Sequence, residues 1–364
     1  MTRYHHGYIL MCMLVNTIFY VPQVLIKYRF EGTISSMAVS IVSGTLCAVI
    51  FTKAMTKFSG LGLPEIFKGV LPSWIRVPYL LFLAGMWFIS GGIVITAYAR
   101  LVQRFISPEF NLFILLLFLI AVCAYIASGD SYSVLYFLEV IIILCLPLMA
   151  FITYKTLSSD YMNWDAIRVI TQYHLKAPKI EALSAASYIF SGYLNMAIFN
   201  RCFDKNTRIR GLWLIPVIGA LVLSTTYFIP IGIHGTYGVQ SYVYVWINTA
   251  DAIRMEFGFI EHMVYIFLLL YLGVSILFTC VTWHVGAELL KGIFAGKSVA
   301  ANLRSHPWFT FGILAVNTVL ILISARLFTE KQFSIFSKLW FILRYPAEIM
   351  LVMVVAFLAW RKKA

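Results

Sequence analysis

The sequence predicts an all-α polytopic membrane protein. It has ten transmembrane helices in a five-plus-five inverted repeat, with the first and sixth helices discontinuous. Three observations carry this. Of the 364 residues, 61% are hydrophobic and 12% charged, and the mean hydropathy is +0.87, values that exclude an ordinary soluble globule. The apolar residues fall in blocks of about twenty, each long enough at ~1.5 Å per residue to cross a ~30 Å hydrocarbon core; the alternating pattern of membrane barrels is absent from the sequence. Finally, two blocks are interrupted at mid-depth, by Ser191-Gly192-Tyr193 and by the stretch from Asn16 to Pro22. An unwound membrane helix exposes N–H and C=O groups that lipid cannot satisfy. A neighbouring helix, water or a ligand must do so.

The predicted spans are roughly 8–26, 33–52, 77–99, 110–128, 132–154, 181–200, 211–233, 259–287, 308–326 and 336–360. Only Arg3 precedes the first as a charged region and no small-residue cleavage site follows, so it reads as a span rather than a removed signal. Within it, Asn16 and Thr17 are polar at mid-depth, and Pro22 removes a donor and disfavours helix just before itself. The plainer alternative is a proline kink with Asn16 bonded to a neighbouring helix. Residues 53–76 form a Gly/Pro-rich connection with a short amphipathic piece. The third span carries Trp87, Ser90, Gly91, Gly92 and Thr96, small residues whose spacing lets another backbone approach closely. Packing is the plainer role for Gly91 and Gly92, whereas Trp87 can wall a pocket. The fifth span holds Glu139, an acid that costs several kcal/mol there unless paired or protonated. It reads as a gating or proton-linked carboxylate, or as a structural partner for a cation.

The connection 155–180 has an amphipathic stretch around Trp164–Ile170, and 234–258 is rich in Tyr and Gly. Glu261 opens the eighth span, where the helix dipole favours a carboxylate, so it is a coupling candidate or simply a dipole partner. Ser275 and Thr279, one turn apart, offer hydroxyls inward or bond back to the preceding turn. In the last span, Arg344 and Glu348 stand four apart, which favours a structural pair on one helix face. The alternative is a new helix beginning at Pro346 with Glu348 in its first turn.

The net charge of +13 belongs to short loops between spans, so it reports topology rather than nucleic-acid binding. The excess of Lys and Arg, including the run Arg201, Lys205, Arg208 and Arg210, predicts both termini on the cytoplasmic side. The sixth span then enters from the side opposite to the first, which lets 1–154 and 181–364 be inverted halves of one transporter-like domain, 1–364. The six Cys lack CxxC spacing and read as packing residues. The seven His form no metal-binding spacing, and nucleotide-loop and nucleophile-elbow motifs are absent from the sequence. No catalytic residue, metal or cofactor is expected, and the chain does not read as an enzyme.

Several stretches resemble the B subunits of nutrient germinant receptors of endospore-forming bacteria, of the amino acid–polyamine–organocation transporter superfamily. They are GLGLPEIFKG after the second span, FSGY in the sixth followed by IFNRCFDKN, GFIEHMVYIF at the start of the eighth, and RYPAEI in the last. The chain departs from that family at Val15-Asn16-Thr17, where small residues are usual, and at Glu261-His262, where Glu-Arg is frequent. The resemblance implies a small-molecule site between the first, third, sixth and eighth helices. On it, the candidate ligand-binding residues are Asn16, Thr17, Tyr20, Trp87, Ser90, Gly91, Ser191, Gly192, Tyr193, Asn195, Ser275 and Thr279, with Glu139 and Glu261 in coupling or gating. It also implies a larger membrane A subunit and a lipoprotein C subunit as partners, membrane lipid around the chain, and the spore inner membrane or the cytoplasmic membrane as its location. The implied function is sensing of a small nutrient such as an amino acid. The competing readings are an amino acid secondary transporter and a scaffold for the receptor that binds nothing itself.

Overall fold

The computed structural model describes residues 2–18, 20–204, 209–253, 262–294 and 307–362, without the side chains of 17, 18 and 307. The first span is two helices, α1 (Thr2–Ile18) and α2 (Tyr20–Lys27), followed by α3 (Thr33–Thr56). The short α4 (Leu63–Val70) is the amphipathic piece expected in 53–76. Pro64 suits its first turn, and Glu65 reaches back to accept from the Gly62 N–H at 2.7 Å. Next come α5 (Ser73–Phe105), α6 (Leu112–Ala127), α7 (Ser131–Leu157) and the short α8 (Trp164–Thr171). Asn111, Asp130 and Asn163 cap these last three by accepting from backbone N–H groups that the helix start leaves free.

The sixth span begins as α9 (Ile180–Tyr188), tightens to a 3₁₀ turn over Ser191–Asn195, resumes as α10 (Met196–Phe199) and ends in a second 3₁₀ turn, Asn200–Cys202. Then come α11 (Leu214–His234), α12 (Val245–Asp251), α13 (Met263–Phe294), α14 (Pro307–Leu327) and α15 (Glu330–Arg361). Thr329 and Gln332 cap α15 reciprocally, and the helix runs unbroken through Pro346, so no new helix starts there.

Among the described residues, seven helices are long and apolar enough to cross a membrane, and nine spans result if each bent pair counts as one. The fourth predicted span is a 16-residue apolar helix, α6, shorter than the length that defines a span on its own. The core sits along α5 and α13, whose apolar windows are 78% and 67% buried, against 28% in α7. Gly91 brings them together: a side chain there would collide with Thr282 and Trp283 of α13. The Thr279 hydroxyl ties α13 back to α5 by donating to the Gly91 carbonyl at 3.3 Å. The packing reading of Gly91 therefore holds. All six cysteines are free, and all but Cys47 are buried.

Candidate functional site

The site is built on the sixth span. Its segments Ile180–Tyr188 and Ser191–Cys202 are bent by 58°. The 3₁₀ turn that opens the second segment pairs N–H groups three rather than four residues back, so the α-helical ladder is interrupted. Gly192 determines where this happens. A Cβ at that position would run into the Tyr8 carbonyl and the Ile9 Cα, so the turn lies directly against the backbone of α1. Side chains then meet the polar groups along the turn. The Asn195 amide donates to the Gly192 carbonyl at 3.0 Å and accepts from Trp87 Nε1 at 2.9 Å. The Cys12 thiol donates to the Tyr188 carbonyl at 3.2 Å, and Ser90 and Tyr188 share a hydroxyl–hydroxyl bond.

The strongest partner comes from α15. Arg344 and Glu348, four apart on one face, are only 4% and 5% exposed and form an ion pair. Arg344 Nη1 also donates to Ser191 Oγ, and Nη2 donates to the Ser184 carbonyl at 2.7 Å and to Ser187 Oγ at 2.6 Å. Its guanidinium lies 4.8 Å from the centre of the Tyr188 ring. Glu348 accepts from Ser191 Oγ at 2.9 Å and from Tyr193 Oη at 2.6 Å. The pair expected to be structural is therefore the polar filling of the break. Pairing and hydrogen bonds of this kind offset the cost of burying such groups at depth.

Against this network lies a cavity of about 60 Å³, lined by Cys12, Met86, Trp87, Ser90, Tyr188, Ser191, Gly192, Leu194, Asn195, Phe278, Thr282, Trp340 and Arg344. Of the residues singled out from sequence, Trp87, Ser90, Ser191, Gly192 and Asn195 line it. Tyr193 stands behind the wall, holding Glu348. Gly91, Ser275 and Thr279 are buried but do not line it; Gly91 and Thr279 join α5 to α13. Asn16 donates to the Cys12 carbonyl one turn back on its own helix, at 2.7 Å. The Tyr20 ring faces Phe333, 6.4 Å away between centroids. The Thr17 side chain and Glu261 lie outside the described residues.

Glu139 is remote from this site. It pairs at 3.1 Å with Arg3 at the end of the bundle that carries the N-terminus, and both are partly exposed. That geometry matches the alternative reading, a structural partner for a cation. Near the same end, Arg201 closes the sixth span by bridging Glu65 of α4 at 2.7 Å and Glu288 of α13 at 2.6 Å, while Lys291 completes Glu288 at 2.6 Å. The sequence reading missed Arg344 as a cavity residue, although its depth was a signal: an ionisable residue inside a span reads as a functional candidate by default.

The pattern of the spore germination protein family matches residues 6–333. The chain belongs to that family. The fold is shared with solved transporters at low identity. MhsT, in complex with L-phenylalanine, aligns over 97% of this chain and 87% of its own, with 13% identity and a TM-score of 0.59. Mhp1, a nucleobase-cation-symport-1 family transporter solved in a closed conformation with bromovinylhydantoin bound, aligns over 96% of this chain and 76% of its own. There the identity is 12% and the TM-score 0.52. No curated protein matches significantly. The spore germination family member is thus an integral membrane protein with a transporter fold.

Proposed function

We propose that this chain is the nutrient-sensing B subunit of a spore germinant receptor, which binds a small nutrient at the break of the sixth span. The observation that carries the reading is the mid-bundle cavity at Ser191–Asn195, walled by Trp87, Ser90 and Arg344. A broken helix meeting convergent polar groups inside a membrane bundle is where transporter folds hold their substrates. The volume is small for a nutrient, and a ligand that prefers a wider arrangement of these helices shifts the population toward it. Partner A and C subunits read that shift. Both termini face the cytoplasm, and residues 1–154 and 181–364 are the two inverted halves. The test is germination of spores carrying Trp87→Ala or Asn195→Ala: the nutrient dose response moves to higher concentration while the receptor level stays constant. An unchanged dose response would reject the site.

A second reading, an amino acid permease, is favoured by the fold shared over nearly the whole chain with MhsT, whose structure contains L-phenylalanine. Uptake of labelled amino acid into proteoliposomes containing this chain alone separates the two: a permease accumulates label, and a sensor does not.

A further inference from the structure

The guanidinium of Arg344 is held on one side only. Nη1 and Nη2 are spent on Glu348, Ser191, Ser187 and the Ser184 carbonyl. Its Nε–H has no hydrogen-bond partner, although the side chain is nearly fully buried and lines the cavity. A buried donor of a charged group left unmet is costly, and it marks where an acceptor is missing. Guanidinium recognises carboxylate planes better than any other common side chain does. Glu348 already supplies one such plane from the neighbouring turn of α15, held by Tyr193 and Ser191.

We propose that Arg344 is the anchor for a ligand carboxylate, and that Glu348 is the built-in carboxylate that holds this anchor while the site is empty. The proposal rests on the reading of the cavity as the nutrient site and adds the group that anchors the ligand's carboxylate, on α15 rather than on the broken helices. In the empty state Glu348 neutralises Arg344 and ties α15 to the 3₁₀ turn through Ser191 and Tyr193. An entering carboxylate takes the unpaired Nε–H, which is covered until the cavity widens, and repels Glu348, which loosens that tie. Ligand binding is thereby coupled to a movement of α15 against the sixth span. Glu348 also acts as a selectivity element, because its charge opposes every anion that enters.

The experiment is thermal unfolding of the purified full chain in detergent with acetate and the common L-amino acids, each compared with its carboxamide; only a ligand that binds the folded state raises the midpoint. The acid form of at least one compound is expected to raise it and the matched carboxamide to leave it unchanged, a comparison made on the wild-type protein with no variant needed. Glu348→Gln, which keeps the side-chain shape, is expected to tighten that acid by about tenfold, the scale of one charge-assisted bond no longer contested. Arg344→Lys is expected to weaken it. Equal stabilisation by an acid and its carboxamide overturns the carboxylate anchor while leaving the nutrient site standing. Weaker or unchanged binding by Glu348→Gln overturns the competition. Absence of any stabilising compound removes both the proposal and the site on which it rests.

Discussion

The first and sixth spans are bent by almost the same angle, 59° between Thr2–Asn16 and Tyr20–Lys27 and 58° across the sixth, yet their polar groups are met in different ways. On the first, the last described side chain before the bend serves its own helix: Asn16 Nδ2 bonds the Cys12 carbonyl and touches the Cys12 thiol at 3.3 Å. On the sixth, the partners come from far along the chain. Trp87 reaches Asn195, and Arg344 and Glu348 reach Ser184, Ser187, Ser191 and Tyr193. A polar side chain bonded one turn back ties its helix to nothing else. A bend closed by another helix is a joint between two elements, and whatever competes for the joint moves one against the other.

The sharpest way to break this comparison is Arg344→Met, which leaves Glu348 buried without its cation. The expected loss is about 3–5 kcal/mol, read as a lowered unfolding midpoint of the purified chain, and the double variant with Glu348→Leu recovers most of it. If Arg344→Met alone is neutral, the joint is not where the sixth span is held. A smaller effect is expected from Gly192→Ala. Its methyl group meets the backbone of α1, and prying two packed helices apart costs about 1–3 kcal/mol. The same change at Gly85, where an added Cβ finds nothing within 4 Å, stays within about 0.5 kcal/mol of wild type. The smallest effect belongs to the first span. Asn16→Ala removes one side-chain-to-backbone bond and costs about 0.5–1.5 kcal/mol, with the nutrient dose response of germination unchanged. An Asn16 effect as large as that of Arg344 would erase the distinction between the two bends.

The mid-depth position of the sixth-span break was legible in the sequence, because a glycine between two hydroxyl residues weakens a membrane helix wherever it is placed. Five of the residues that line the cavity were legible for the same reason: small and polar side chains inside apolar runs stand out. The role of Tyr193 was only half visible. Its place beside the break could be read, but its hydroxyl serves Glu348 rather than the cavity. The partner of Asn16 was not legible, since a polar residue near a proline looks the same in sequence whether it faces a ligand or bonds its own helix one turn back. For Glu139 the sequence left two readings open: depth along the span signals cost, but only the packing shows that Arg3 pairs with it.

The sequence by itself determined that the chain is helical and embedded in lipid, because hydropathy in blocks of membrane length acts residue by residue and needs no partner. It also determined that Arg344 and Glu348 share a helix face, since a spacing of four is a local property of the α-helix. Only the tertiary structure decided what that face meets. Arg344 contacts the Ser184 carbonyl across 160 residues of chain, and Glu348 contacts Tyr193 across 155. No local pattern encodes such contacts, because they depend on how α15 is laid against the sixth span. That placement is set by the sum of all the helix packings and turns an ordinary helix-surface ion pair into the closure of the break.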